Sequence, residues 1–454
     1  MAFGLARRLV AGVVVAAMLA PTAAISAPAK NRDRSIPLLR DAEAEALIGD
    51  YARPILKAAG LGGAEVRIRI VNDDRFNAFV ADGRNIFINA GTIMQTETPN
   101  EMIGVLAHET GHLAAGHLAQ LREALRDAQI MSIIAMLGGA AAAAAGGGGR
   151  GMAAAALGGN QIAERSLLSY QRGQERSADH AAVTYLDKTG QSGAGMLAVF
   201  DRLAGQQLFV SRYGDPYVQS HPFASDRIAQ LEEIVRKSKN FSRTDSAELQ
   251  ARHDLVRAKF IGFMESPQKV ARLYPDKDTS LPAAYARAVV AYRLGSPKAA
   301  VAHVDDLIRR DPKNPWFLEL KGQILTETGT PGAAIEPLRR AVALAPRSGF
   351  LKVMLGHAQV ASGDDRQLKE AIENLNRGLA DDPFAGIGYR QLAIAYARTG
   401  NIPMADLATA QGYFAVGDVK NARQYAARAQ ASLKRGTPAW LRADDIASYK
   451  PPRL

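Results

Sequence analysis

The stretch GVLAHETGHLAAGH, residues 104–117, places three of the chain's eight histidines within ten positions. Just before it, Thr98 can cap a helix, Pro99 suits the first helical position and Glu101 completes a capping box. This pattern predicts a helix that starts near Pro99 and runs through the histidines. Imidazole is a poor core group, so the cluster indicates a binding or catalytic task.

Two of these histidines have the spacing of metal ligands. Residues four apart on a helix face the same way, so His108 and His112 converge on one point that a divalent metal can occupy. Glu109 follows the first of them and can take a proton from a metal-bound water. One Zn²⁺ per chain at this point lowers the pKa of such a water to about 7. The His-Glu-x-x-His pattern therefore predicts hydrolysis at a metal.

The third histidine of the cluster does not share this spacing. His117 lies nine positions after His108, so on a continuous helix its side chain points away from the metal. We interpret it as a packing residue or as a support for a ligand histidine, and a direct role in the active site is the alternative.

A catalytic zinc needs a third protein ligand, which must come from elsewhere in the chain. Residues 170–190, YQRGQERSADHAAVTYLDKTG, have the pattern of a helix that ends at Gly190, with Glu175 and Asp179 on one face. Glu175 can complete the coordination while Asp179 orients a ligand histidine through its ring N–H. An ordinary solvated pair of carboxylates is the alternative, and these residues alone leave both readings open.

The motif HETGH, followed some sixty residues later by ERSAD, resembles the zinc metallopeptidases related to HtpX and the CAAX-processing proteases, metallopeptidase family forty-eight. The resemblance implies a gluzincin-type α+β domain with a small β-sheet. It also implies that His108, His112 and Glu175 bind the metal. Glu109 then corresponds to the general base, and Asp179 to the residue that holds a ligand in place.

The segment SHPFASDRIAQL, residues 220–231, resembles a further block of this family, a His-Pro followed by an Arg on a short helix. The resemblance implies that His221 and Arg227 lie near the metal, and both are candidate catalytic residues. His221 has two possible roles. It can fill the metal's open position and silence the enzyme until it is displaced, or it can donate to the oxyanion of the transition state.

The region before the histidine helix has the pattern of a small sheet. A helix over 36–60 is followed by EVRIRIV, residues 65–71, which alternates like a half-buried strand. Residues 76–93 contain two apolar runs around Asp82-Gly83, which predicts a hairpin. In the family that the motifs resemble, the segment matching 77–93 lies at the edge of the cleft. Such an edge can bind unfolded polypeptides by strand addition, with broad specificity.

The N-terminus has the pattern of a secretory signal peptide. Arg7 and Arg8 precede an uncharged run over 9–20, and Ala27 and Ala29 offer a small-x-small cleavage site. We therefore expect a periplasmic protein cleaved near Ala29. A membrane anchor is the alternative, but the apolar run is short for a bilayer. The chain contains no cysteine, which excludes a disulfide framework.

The net charge of +11 does not indicate a nucleic-acid partner. Lysine and arginine are interleaved with aspartate and glutamate and form no long basic block. We interpret the charge as a solvated basic surface that tolerates anionic membranes.

Residues 129–160 are rich in alanine and glycine. Residues 129–149 are uncharged and nominally long enough to span a membrane, as helices near the motifs of HtpX-like enzymes do. However, alanine is weakly hydrophobic and the glycines at 146–149 break a helix, so insertion is unfavourable. We interpret the segment as a lid or as a peripheral membrane contact over the active site.

The C-terminal part of the chain is repetitive. Gly295, Gly329 and Gly363 are spaced by 34 residues. The first two are followed after 5 residues by an alanine and after 17 by a proline: Ala300, Ala334, Pro312 and Pro346. The third unit carries three extra residues, so its alanine and proline are Ala371 and Pro383. The glycine ends one helix, the alanine lets two helices approach closely and the proline ends the second. Helix pairs with this period resemble tetratricopeptide repeats, whose stacking forms a protein-binding groove. A plain helical bundle is the alternative, but it does not explain the register.

These observations predict a mostly α-helical chain, with an α+β zinc metallopeptidase domain followed by an α-solenoid of repeats. The predicted divisions are a signal peptide at 1–29, the peptidase at 30–236, a linker and connecting helix at 237–280, the repeats at 281–448 and a tail at 449–454.

The combination resembles the periplasmic BepA-like proteases. The resemblance implies a zinc endopeptidase that acts on misfolded envelope proteins, with a chaperone-like role in outer-membrane protein quality control. The repeat groove then docks substrates or the outer-membrane assembly machinery. Two alternatives stay open: a repeat-based chaperone or scaffold with a latent protease, and a membrane-embedded HtpX-like protease held by residues 129–149.

Overall fold

The computed structural model describes residues 36–126, 170–207, 217, 221 and 225–451. The chain from Leu38 onward forms one compact unit. The signal peptide and the alanine- and glycine-rich segment lie outside the described residues, so export, cleavage near Ala29 and any membrane contact through 129–160 stay predictions. Of the helices that are described, none combines the length and the apolar character that crossing a membrane requires.

A four-stranded sheet lies beside the histidine helix, in the order β1-β2-β4-β3. Its strands are β1 Leu38–Leu39, β2 Arg67–Val71, β3 Ala78–Asp82 and β4 Asn85–Asn89. Strands β3 and β4 are antiparallel and form the predicted hairpin, while β2 and β4 are parallel. Strand β3 is an edge strand that packs against the histidine helix. The sequence pattern therefore located both the hairpin and the strand before it.

The predicted helix over 36–60 is wrong at its start. Leu38 and Leu39 pair with β2, and the helix, α1, covers Ala42–Ala58. The Asp41 side chain accepts a hydrogen bond from the Ala44 N–H at 2.8 Å and fixes the first turn. Periodicity missed the short strand because its pairing partner lies far along the chain.

The helices around the site are α2 Ala90–Gln95, α3 Pro99–Ala115, α4 over 117–126, α5 over 170–189, α6 Ala194–Gln207 and α7 Ser225–Arg236. The connecting helix α8, Ala247–Met264, is followed by α9, Pro267–Leu273. On α8, His253 Nε2 lies 2.9 Å from the Thr96 carbonyl and its Nδ1 lies 3.2 Å from the Tyr51 hydroxyl. Val256 and Phe260 of α8 belong to the same core as the histidine helix. The connecting helix is therefore packed into the peptidase part, and the exact domain boundaries stay a prediction.

The repeats are stacked helix pairs, as the register predicted. The pairs are α10 Leu281–Arg293 with α11 Pro297–Arg310, α12 Pro315–Glu327 with α13 Pro331–Leu344, α14 Gly349–Ala361 with α15 Leu368–Asp381, α16 Gly386–Arg398 with α17 Ile402–Ala415, and α18 Val419–Ser432 with α19 Pro438–Ser448. The glycines after the first helix of the first three pairs have φ of 72°, 88° and 77°. These left-handed values explain why glycine recurs there. Ala300, Ala334 and Ala371 are fully buried between helices.

A buried ionic network joins the peptidase part to the first repeats. Lys259 Nζ of α8 lies 2.7 Å from Asp41 Oδ2, 3.4 Å from Glu43 Oε2 and 3.5 Å from Glu319 Oε2. The Tyr285 hydroxyl donates to Glu43 Oε2 at 2.9 Å. One lysine can neutralise only one of three carboxylates, and Asp41 is the nearest. Burial raises the pKa of Glu43 to about 7 and that of Glu319 to about 8, so both favour their protonated forms.

This network predicts that the protein loses stability as the pH rises. A carboxyl whose pKa is raised on folding stabilises the fold below its unfolded pKa, and this stability is lost as the pH rises through 7 and 8. Glu319→Gln fixes one position as neutral. Between pH 5.5 and 8.5, urea unfolding should show that the free energy of unfolding falls less steeply with pH for this variant than for the unmodified chain. We expect the two slopes to differ by up to roughly 1.4 kcal/mol per pH unit.

Glu373→Gln on the exposed face of α15 is the matched control, and its pH slope should equal that of the unmodified chain. Equal slopes for the Glu319→Gln variant and the unmodified chain would show that Glu319 is ionised throughout.

Candidate metal centre

The histidine helix α3 is fixed at its N-terminus as the capping pattern predicted. The Thr98 hydroxyl accepts a hydrogen bond from the Glu101 N–H at 3.3 Å. The Glu101 carboxylate accepts from the Glu97 N–H at 2.9 Å and pairs with Arg202 at 3.0 Å. The helix therefore begins at Pro99, and the histidines hold a defined position relative to that end.

Two glycines let α3 lie unusually close to its neighbours. A Cβ on Gly104 would meet the Met196 Cβ of α6 at 2.6 Å, and a Cβ on Gly111 would meet the Ala178 carbonyl oxygen of α5 at 2.8 Å. Gly111 is the fourth residue of HETGH, and Ala178 precedes Asp179. The close contact brings the two motifs together, a role for these small residues that the sequence analysis missed.

The structure brings the three predicted ligands and His221 to one point. His112 Nε2 lies 3.1 Å from His108 Nε2 and 3.3 Å from Glu175 Oε1, and His108 Nε2 lies 3.5 Å from Glu175 Oε2. His221 Nδ1 lies 3.3 Å from His108 Nε2 and 3.1 Å from Glu175 Oε1. One ligand atom from each of the four residues lies within 4.8 Å of the others. Three imidazoles and one carboxylate are a donor set that suits a tetrahedral Zn²⁺.

Asp179 and Arg227 support the donors from behind. Asp179 Oδ1 lies 2.9 Å from His108 Nδ1, the ring nitrogen that faces away from the cluster. Arg227 donates to Asp179 from Nε at 2.6 Å and from Nη2 at 2.9 Å, and its Nη1 lies 2.9 Å from Glu175 Oε2. The structure therefore places Arg227 against the carboxylates of α5. That position suits a positioning residue better than a catalytic one.

These contacts govern the ionisation of the two carboxylates. Burial opposes charge on Glu175, but His221, His108 and His112 outweigh it and hold the pKa of Glu175 well below its usual value. Burial also opposes charge on Asp179, and its bonds from Arg227 and His108 lower its pKa nevertheless. Both groups are thus available as anions, which is the form that metal and imidazole need.

Glu109 is a buried carboxylate that accepts no hydrogen bond from the described residues. Its side chain is 1% exposed, and neither of its oxygens accepts a hydrogen bond within the described part of the chain. The His221 ring lies beside it, with Nε2 3.5 Å from Glu109 Oε1. Burial raises the pKa of Glu109. Such an unsatisfied group beside a donor cluster fits a residue that binds a water or a reacting proton.

The prediction of a continuous helix through His117 is wrong. Helix α3 ends at Ala115, and Gly116 adopts φ of 67°, a left-handed conformation that interrupts the helix before α4 begins. The ring of His117 therefore returns to His112, with the two Nδ1 atoms 3.0 Å apart. Its carbonyl accepts a hydrogen bond from Gln174 Nε2 at 3.1 Å. His117 is thus placed to hold a ligand histidine, the second of the roles left open for it.

Two aromatic residues that the sequence analysis missed frame the donors. The ring of Tyr217 lies 4.5 Å from that of His221, and the ring of Phe200 lies edge-on to that of His108 at 5.3 Å. Both aromatic side chains are fully buried. No local pattern indicates them, because they come from segments far apart in the chain.

Comparison with known proteins agrees with this geometry. Residues 39–235 match the profile of peptidase family M48. We refer to this matched segment as the M48 domain. This M48 domain is a metallopeptidase domain, and all the candidate site residues lie inside it.

The chain is also similar to curated relatives over most of its length. It is 25% identical to the beta-barrel assembly-enhancing protease of Yersinia pestis, over 81% of this chain and 75% of that protein. The protein of the same name from Escherichia coli K12 is 24% identical, over 90% of this chain and 83% of its own. Metalloprotease YcaL of Escherichia coli K12 is 28% identical over 42% of this chain and 71% of its own. The first two matches extend beyond the M48 domain into the repeats.

Proposed function

We propose that this protein is a zinc-dependent endopeptidase of the periplasm that hydrolyses peptide bonds in unfolded or misfolded envelope proteins. The observation that carries the proposal is the gathering of His108, His112 and Glu175 around one point, beside the buried Glu109, whose oxygens accept no hydrogen bond among the described residues. This arrangement has the ligands and the base that metal-assisted hydrolysis needs.

Each residue has a distinct role in the proposed reaction. His108, His112 and Glu175 hold one Zn²⁺, which supplies a Lewis acid and an acidified water when it is bound. Glu109 takes the proton of the attacking water and passes it to the leaving amine. Asp179 fixes the ring of His108, and Arg227 fixes both carboxylates of α5. These supports keep the donors in place before substrate arrives.

The position of strand β3 at the edge of the sheet favours a polypeptide as the substrate. Strand β3 has a neighbour only on its β4 side within the described residues, and it packs against α3. An extended peptide can pair with such an edge through main-chain hydrogen bonds, which demands an unfolded segment and reads few side chains. The proposed substrates are therefore unfolded chains with little sequence restriction.

A role in outer-membrane protein assembly rests on the relatives. Two of them are named beta-barrel assembly-enhancing protease, and their similarity extends over the repeats as well as the M48 domain. The stacked helix pairs offer a surface for protein partners, including the assembly machinery. Location in the periplasm and removal of a signal peptide near Ala29 belong to the same proposal.

A latent protease with a chaperone or scaffold role is the second candidate. It is favoured by His221, whose Nδ1 lies among the other three donor atoms and can occupy the metal's fourth position. A fourth protein ligand would close the position that water and substrate need. Displacement of His221 would then be required for activity.

Metal dependence tests the proposed function directly. We expect the purified protein to contain about one zinc per chain and to cleave a reduced, unfolded protein such as casein. A chelator should abolish cleavage, and added Zn²⁺ should restore it. Metal analysis and gel-based cleavage assays provide the measurements.

The variant His221→Ala separates the two roles of this residue in the same assay. Faster cleavage with zinc retained supports a fourth ligand that silences the site, while slower cleavage with zinc retained supports an oxyanion donor. Unchanged cleavage contradicts both roles. Cleavage that persists without metal would contradict the proposed function itself.

A further inference from the structure

A large cleft lies between the M48 domain and the repeats. It has a volume of about 1100 Å³ and contains none of the metal-centre residues. One side is formed by α1 and by residues 61–69, which include most of β2. The other side is formed by the turns at 344–350 and 380–384 of the repeats, together with Trp316. It is an open cleft, and the mechanism proposed above does not use it.

The lining of the cleft carries five arginines and five carboxylates, and two of the arginines form no ion pair with the described residues. Its five carboxylates are all ion-paired, within the lining or with a cation just outside it: Glu45, Asp50, Glu65, Asp381 and Asp382. Among the lining cations, Arg69 and Arg347 have no carboxylate within 4.0 Å in the described part of the chain. Arg69 and Arg347 therefore line the cleft without an ion-pair partner among the described residues, although Asp382 and Glu45 attract Arg69 from a longer distance. An anionic group in the cleft can pair with both arginines.

Arg69 is held in place for such a partner. Its guanidinium lies 4.3 Å from the ring centre of Phe384, and the guanidinium of Arg67 lies 4.8 Å from the same ring. Burial and the neighbouring cations Arg40 and Arg67 lower the pKa of Arg69. An added carboxylate would relieve this repulsion, and the aromatic ring already fixes the planar head group that would bind it.

The shape and composition of the cleft suit an extended polypeptide. Ala46 and Gly49 on α1 leave room for a main chain to approach, and nothing lies within 4 Å of the position of a Cβ on Gly49. Phe350 and Trp316 offer aromatic surface on the opposite side. Strand β1 pairs only with Val71 and Ile70, so the rest of β2 has no strand neighbour on that side among the described residues.

We propose that this cleft binds an extended, acidic polypeptide segment of a substrate or partner protein. Arg69 and Arg347 bind its carboxylates, and Phe384, Phe350 and Trp316 contact its apolar side chains. The inference rests on the proposed function, to which it adds a class of polypeptide and a binding site separate from the metal. Because the cleft has walls from both parts of the chain, bound polypeptide would be held by the M48 domain and the repeats together.

The test measures peptide binding by the full chain carrying Glu109→Gln, which prevents cleavage. The probes are two fluorescein-labelled unstructured peptides of equal length, with Glu in one and Gln at the same positions in the other. Fluorescence anisotropy at low salt should show tighter binding of the Glu peptide. We expect Arg347→Ala and Arg69→Ala each to raise the Kd of the Glu peptide about threefold to tenfold and to change that of the Gln peptide little.

Arg442→Ala on α19 is the matched control, because Arg442 is exposed and lies outside the cleft. The Arg347 side chain is also exposed, so its removal in Arg347→Ala should leave the fold intact. Circular dichroism should show that this variant is folded like the unmodified chain. The proposal is overturned if neither cleft variant weakens binding or if Arg442→Ala weakens it equally. It is also overturned if inorganic phosphate or anionic phospholipid vesicles bind in an Arg347-dependent way while the Glu peptide does not.

The peptide-binding test and the test of zinc-dependent cleavage can fail separately. Loss of the preference for acidic segments, with intact cleavage of casein, would leave the endopeptidase proposal standing. Failure of zinc-dependent cleavage in the chelator experiment would overturn the endopeptidase proposal. The peptide-binding result could still be interpreted in that case.

Discussion

The variant Glu109→Gln should lose peptidase activity while it keeps its metal. We expect kcat for cleavage of an unfolded substrate to fall by roughly 10²–10⁴-fold, the usual contribution of a general base. Glutamine has the same shape but cannot take a proton, and the two oxygens of Glu109 have no hydrogen-bond donor to lose among the described residues. The fold should therefore be retained. Initial rates with a quenched fluorescent peptide, together with the zinc content, provide the measurement.

Glu123→Gln is the matched control on the neighbouring helix α4, where the side chain is exposed. Its rate should match that of the unmodified chain. Retained activity in Glu109→Gln would show that another group activates the water, whereas loss of zinc would assign Glu109 to the ligands.

Among the substitutions proposed for this protein, Arg227→Met should lower the free energy of unfolding most. Arg227 is 4% exposed and is the only cation the described structure places against both Asp179 and Glu175, apart from the histidines of the site. Removal of one partner from a buried charge pair leaves the other charges without compensation, which costs about 3–5 kcal/mol. Methionine fills a similar volume, so the loss reports mainly on charge. Urea unfolding with saturating Zn²⁺ measures the free energy of unfolding.

Arg236→Met on the same helix α7 provides the comparison. Arg236 pairs with Glu232 on the surface, where its side chain is 59% exposed. An exposed pair of this kind contributes at most about 1 kcal/mol, so this variant should remain close to the unmodified chain. Similar losses for both arginines would mean that the contacts of Arg227 with α5 contribute little to the fold.

The sequence indicated much of the fold because short-range rules govern it. The hairpin at Asp82-Gly83, the start of the histidine helix at Pro99 and the end of the α5 helix at Gly190 all follow from backbone sterics and capping within a few residues. The period of 34 residues indicated stacked repeats, because each turn between paired helices needs a glycine and each close contact between helices needs a small residue.

Short-range rules predicted only part of the candidate site. The helical repeat places His108 and His112 on one face, but nothing local joins Glu175 or His221 to them. Their link came from resemblance to a family, and their distances came from the fold. His117 shows the limit clearly, because one left-handed glycine reversed the direction that the helical repeat predicted.

The sequence by itself determined the chemical groups: two histidines one turn apart, a glutamate beside them and a periodic array of helix pairs. Only the tertiary structure decided that Arg227 holds both carboxylates of α5, that Lys259 joins the M48 domain to the repeats and that a cleft with two unmatched arginines lies between them. The reason is physical. Steric and capping preferences act over a few residues, whereas charges buried together and surfaces that face one another depend on segments brought close by the whole packed core.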